Sequence, residues 1–95
     1  MTDYDSKIIR RKIRVSGSVQ GVGFRYRMEY ASSMVGTTGW VRNEPDGSVL
    51  LEIQGTEEQI DKVFIMVSQG TYVNIENMNV ETILLLEDEY GFRIK

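Results

Sequence analysis

Residues 17–25 read Gly17-Ser18-Val19-Gln20-Gly21-Val22-Gly23-Phe24-Arg25. Three glycines within seven residues let the backbone adopt positive φ, so that successive N–H groups can turn inward as a concave set of donors for an anion. A helix that follows adds its own unsatisfied N–H groups and the positive end of its dipole. Arg25 stands at that helix start. Its planar guanidinium can hold two oxygens of a tetrahedral phosphate, a geometry lysine does not reproduce. The chemistry favoured is phosphate binding, although a glycine-rich loop taken alone fits a structural turn equally well.

Residue types that are missing narrow the chemistry further. There is no Cys and no His among the 95 residues. Disulfides, thiolate metal sites and a cysteine nucleophile are therefore excluded, as are the usual neutral-pH acid/base group and the commonest metal ligand. The longest apolar runs are four residues, such as Ile83-Leu84-Leu85-Leu86, against the ~20 that a membrane span needs. The first residues lack the apolar core of a secretory signal, so a cytoplasmic protein is expected. Net charge is −3 but unevenly spread. Residues 1–27 hold seven Lys/Arg against two Asp, and the remainder four against twelve acidic residues. Such a balance disfavours general nucleic-acid binding and allows a small anion near the start, while a solvated basic edge strand explains the charge as well.

The elements that must position the loop can be read from periodicity. Residues 1–8 are expected to form a flexible tail ahead of one domain over 9–95. Ile9, Ile13 and Val15 alternate with Arg10, Lys12 and Arg14, which predicts a half-buried strand. Phe24, Met28, Ala31 and Val35 recur at helical spacing before Gly36, which predicts an amphipathic helix with a glycine stop. Residues 38–43 are rich in strand formers, Glu44-Pro45-Asp46-Gly47 suits a tight turn, and Val49, Leu51 and Ile53 alternate, together a β-hairpin. Thr56 and Gln59 form a capping-box pattern ahead of Ile60, Val63, Phe64 and Val67, a second helix ending near Gly70. Residues 71–79 show no period, 80–86 reads as a strand, and Tyr90, Phe92 and Ile94 predict a short last strand after a solvated turn at Glu87-Asp88-Glu89. The order βαββαβ predicts a ferredoxin-like α/β (α+β) sandwich. Both helices should cover one face of an antiparallel sheet, with a short extra C-terminal strand.

A second fixed pattern, Gly39-Trp40-Val41-Arg42-Asn43 followed by Asp46-Gly47-Ser48-Val49, joins the first. With both present, and Gly55 at matching spacing, the chain resembles the acylphosphatase family over residues 13–95. That resemblance implies metal-independent hydrolysis of acyl phosphates to a carboxylate and inorganic phosphate, with no cofactor. By motif position it implies that the amides of Gly17, Ser18, Val19, Gln20, Gly21, Val22 and Gly23 hold the phosphoryl group with Arg25, and that Asn43 orients the attacking water. Arg25 and Asn43 are the catalytic residues it assigns. It further implies a small-molecule acyl phosphate substrate, inorganic phosphate as product and inhibitor, no nucleic-acid or membrane partner, and a monomer. Ser18 stands where relatives often carry a cation, which removes a charge but no backbone donor.

The missing residue types suit that reaction. Phosphoryl transfer runs through a loose transition state with charge on the peripheral oxygens, so positioning and electrostatics carry most of the catalysis. A carboxylate leaving group needs no strong general acid. Asn43 cannot take a proton at neutral pH, but its amide can hold a water. Two alternatives stand beside this reading. An RNA-recognition module shares the element order, but the strand at 49–54 offers Leu50, Glu52 and Gln54 outward and no aromatic ring for stacking. The other is an acylphosphatase-like module of a larger carbamoyl-transfer protein. Trp40 is expected in sheet packing, Arg27 and Arg42 as solvated charges, and Tyr26 and Tyr30 as partly buried helix-flank residues.

Overall fold

The computed structural model describes residues 7–70 and 72–95. The expected tail lies, for residues 1–6, outside the described residues. Alternating apolar residues make β1 (Ile8–Ser18), with Ile13 and Val15 buried. Helix α1 (Phe24–Val35) follows the loop and stops at Gly36, whose left-handed conformation lets its N–H reach the Ser32 carbonyl at 2.8 Å. The hairpin is β2 (Thr38–Asn43) and β3 (Val49–Thr56).

Helix α2 (Glu57–Ser68) begins with the expected capping box. Thr56 Oγ1 accepts from the Gln59 N–H at 3.1 Å, and Gln59 Oε1 accepts from the Thr56 N–H at 2.9 Å. Both orphan donors are thus satisfied. Thr56→Ala should lower stability by about 1 kcal/mol in chemical denaturation; an unchanged midpoint would mean the box contributes nothing.

The sheet order is β4-β1-β3-β2-β5, with β4 at Asn74–Ile83 and β5 at Phe92–Ile94. Inward residues of the strands, among them Val41, Val49, Leu51 and Ile53, meet Phe24, Met28, Ile60 and Val63 of the helices in one core. Two helices on one face of the sheet make the ferredoxin-like sandwich. The sheet is mixed rather than wholly antiparallel. Three pairings are antiparallel, but β5 lies parallel to β2, because the chain crosses from one sheet edge to the other after β4.

The fourth strand departs most from expectation. It spans 74–83 instead of 80–86, since its extent is dictated by pairing with β1 and its own outer edge is free. The apolar run that follows leaves the sheet, and Leu84 is 90% exposed. Leu86 instead exchanges two hydrogen bonds with the Gln54 side chain.

Charge on β1 is also placed differently. This strand is not an edge but lies between β4 and β3. Arg10 is only 2% exposed, because its guanidinium reaches Glu52 at 2.8 Å and Glu89 at 2.8 and 3.1 Å. The 87–89 turn is accordingly not a wholly solvated one, since Glu89 closes over Arg10.

Candidate active site

The end of β1 sets up the loop. Gly17 and Ser18 still belong to this strand and pair with Ile75 and Asn74. A Cβ at Gly17 would collide with the Asn74 carbonyl oxygen, so the close approach of β4 is what requires glycine there. Val19 buries its side chain in the core and donates its N–H to the Gly17 carbonyl at 3.1 Å. Beyond it the backbone opens. Gly21 and Gly23 take φ of 74° and 81°, which an L side chain adopts only with strain. The first helical hydrogen bond runs from the Arg27 N–H to the Gly23 carbonyl at 3.0 Å, so the seven N–H groups of residues 20–26 have no backbone acceptor among the described residues. This run of donors ends at the positive end of the α1 dipole.

Arg25 is the second residue of α1, next to the buried Phe24 that pins the helix start into the core. It makes no ion pair among the described residues. Asn43 is the last residue of β2 and shares the inward side of that strand with Val41, which turns it toward the start of α1. The two meet in a cavity of about 260 Å³ lined also by Gly21 and Gly23. Asn43 Oδ1 is itself buried and has no hydrogen-bond partner among the described residues. A buried carbonyl left without a donor costs roughly 1–3 kcal/mol, a cost that a donor brought in from outside removes. Gly17, Ser18, Gln20 and Val22 do not line this cavity, whereas Val19, Phe24 and Tyr26 do.

Comparison with known proteins bears on what this cavity does. The Acylphosphatase family matches residues 11–94. The chain belongs to that family. It is 42% identical over 86 residues to an acylphosphatase of Oceanobacillus iheyensis, covering 88% of this chain and 94% of that one. Its fold matches the crystal structure of the acylphosphatase from Bacillus subtilis with a TM-score of 0.82 at 31% identity, over 92% of this chain and 98% of that one. An acylphosphatase from Coxiella burnetii superposes with a TM-score of 0.81, also at 31% identity, over the whole of both chains. The protein is thus an acylphosphatase, a hydrolase that splits acyl phosphates into a carboxylate and inorganic phosphate. Among the described residues, no group of three or more His, Cys, Asp or Glu could hold a metal ion.

Two features that position this candidate site are invisible to motif spacing. Gln20 Nε2 donates to the carbonyls of Glu44 and Ser48 at 2.7 and 2.8 Å, so the loop is tied to the turn that carries Asn43. The turn itself is held by Asp46, whose Oδ1 accepts from the Ser48 N–H at 2.9 Å and from its hydroxyl at 2.6 Å. Those two hydrogen bonds from Ser48, with help from the Arg14 charge, hold the Asp46 carboxyl below its ordinary range. The one carboxylate beside Asn43 is also occupied. Glu44 faces Arg42 at 3.0 Å and Arg14 at 3.6 Å, which leaves the charge of Arg25 unopposed at the cavity. Trp40 packs on the outer sheet face, with Lys95 and Arg42 at 4.3 and 5.2 Å from its ring. Arg42 is therefore more than a solvated charge.

Proposed function

We propose that the phosphoryl group of the acyl phosphate sits at the free N–H groups of the loop and helix start that line the cavity, with Arg25 across two of its oxygens, and that the side-chain amide of Asn43 holds the attacking water. Arg25 and Asn43 in the walls of one cavity, together with Gly21 and Gly23, carry this reading. Water held by that amide approaches phosphorus opposite the leaving carboxylate. Its oxygen forms a bond to phosphorus as the bond to the carboxylate oxygen breaks, and the proton it loses passes to a phosphate oxygen. Arg25 and the amides act throughout on the peripheral oxygens, where charge develops. The assignment narrows the loop, since Gly17 through Val19 serve to anchor the cradle to β1 and β4.

We further read the enzyme as a metal-independent monomer acting on a small substrate, with no nucleic-acid or membrane partner. A chain without cysteine suits the reducing cytoplasm, and no described helix is long and apolar enough to cross a membrane. The test is release of phosphate from benzoyl phosphate in excess chelator. Full activity is expected, and loss that added metal restores would overturn metal independence. Inorganic phosphate should inhibit competitively and also stabilise the fold, because an anion that binds only the folded cradle contributes about 1.4 kcal/mol at ten times its Kd. For a domain this size that raises Tm by several degrees. A Tm unmoved by saturating phosphate would speak against an anion site at the loop.

A further inference from the structure

A larger hollow of about 650 Å³ opens beside the cradle. Gly23 and Tyr26 line both spaces, so the two adjoin at the start of α1. One wall is the face of α1 that carries Tyr26 and Tyr30, and the other is Met66 and Gln69 at the end of α2, with Val22 at the mouth of the loop. The two tyrosines are not the half-buried flank residues their spacing predicts. They are 67% and 63% exposed, and nothing among the described residues covers their rings. Spaced i, i+4, they lie on one helix face about 5.4 Å apart along the axis. The groove also carries Arg27, laid against Gly70, and no carboxylate.

Accepting the placement of phosphate described above, we propose that this groove is the acyl-group subsite of the enzyme. It takes acyl phosphates whose acyl part is extended and ends in an aromatic ring. Two arguments set the class. The acyl carbon leaves the phosphate at the cradle, and the adjoining concave surface shares Gly23 and Tyr26 with it. The surface itself is apolar and aromatic, with a positive rather than negative charge at its wall, so it favours a ring or an anionic substituent and rejects a cationic one. A two-carbon acyl group ends at Tyr26. A 3-phenylpropionyl group extends by roughly another helical turn and meets Tyr30.

The test compares acetyl phosphate with 3-phenylpropionyl phosphate for the wild type, Tyr30→Ala and Tyr30→Phe. Tyr30 is solvent-exposed and outside the cradle, so the variants should fold and keep wild-type affinity for inorganic phosphate. Tyr30→Ala should lower kcat/KM for the arylalkanoyl substrate by roughly five-fold through KM, leave acetyl phosphate within about two-fold, and be rescued by Tyr30→Phe, which restores the ring. Equal loss on both substrates, or loss on neither, overturns the subsite while leaving the cradle intact. Failure of the wild type to turn over either substrate would instead overturn the placement of phosphate on which the subsite rests.

Discussion

Asn43→Ala should lower turnover by about 10²-fold or more and leave phosphate affinity nearly unchanged. In the proposed arrangement the side chain holds the nucleophile and does not contact the phosphoryl oxygens, so its loss withdraws orientation from the water while the amides and Arg25 still bind. Stability gives a separate readout. Because Asn43 Oδ1 is buried without a partner among the described residues, truncation removes a desolvated carbonyl and breaks no hydrogen bond that this atom makes to them, so the variant should be at least as stable as the wild type. Arg25→Lys should behave differently. It keeps one positive charge but loses the planar two-point grip, so it should weaken phosphate binding and lower turnover together, since the same oxygens gain charge in the transition state. Steady-state hydrolysis and phosphate affinity of both variants separate the roles. Near-wild-type turnover for Asn43→Ala, or weakening of phosphate binding equal to that of Arg25→Lys, would mean the roles are wrongly divided.

The second large effect lies at the other end of β1, in stability. Glu89→Gln should destabilise the fold by about 3 kcal/mol at neutral pH, as expected for a buried cation deprived of a charged partner. Glu89 is 8% exposed and grips Arg10 with both oxygens, while Glu52 remains as the other partner. Burial is the largest single influence on the Glu89 carboxyl and pushes its pKa up. Hydrogen bonds from Arg10 and Thr38, with the charges of Arg10 and Arg93, outweigh it and hold the group below its ordinary value of 4.5. The sign follows. A carboxyl depressed in the folded state contributes its full stability above the unfolded pKa and loses it as pH falls through the folded one. For Arg10, burial likewise opposes the charge, but hydrogen bonds and charges from Glu89 and Glu52 raise its pKa above the ordinary arginine value. Its contribution is full below that value and unchanged across the acid and neutral range. The gap between wild type and Glu89→Gln should therefore be widest at neutral pH and shrink below about pH 4.5. Denaturation midpoints at pH 7 and pH 3 measure it, and a gap that does not change with pH would show that the charge on Glu89 is not what stabilises the fold. Hydrolysis should be unaffected, because Glu89 is remote from the loop.

Some departures between periodicity and structure share one cause. Alternation reports a strand only where one face is buried and the other is wet. β3, central in the sheet, buries Val49, Leu51 and Ile53 on one face and keeps polar Glu52 and Gln54 on the other, which makes it legible although Leu50 on that face is also buried. β4 is an edge, with Asn74, Glu76, Asn77 and Asn79 among its exposed residues, and its ladder is fixed by β1 rather than by any period of its own. The run Ile83-Leu84-Leu85-Leu86 looks more like a strand than the strand itself does. Tyr26 and Tyr30 mislead in the opposite way, since an i, i+4 aromatic pair looks like packing, yet both side chains stay largely exposed.

What the sequence by itself determined is whatever depends on neighbours along the chain. The positive-φ glycines of the loop, the helix start that carries Arg25, the capping box, the Asp46-Gly47-Ser48 turn and the element order βαββαβ are all of this kind, because turn, cap and amphipathic signals act over a few residues. Tertiary structure alone decided which of the loop amides are free, since Val19 and Gly17 are spent on the strand end and the approach of β4. It also decided that Gln20 ties the loop to the Asn43 turn and that Arg10 is buried by a glutamate 79 residues away. The meeting of Asn43 and Arg25 in one cavity belongs with them. Each of these is a contact between segments whose register is set only when the sheet assembles, and a hydrogen bond between distant side chains leaves no period in the sequence.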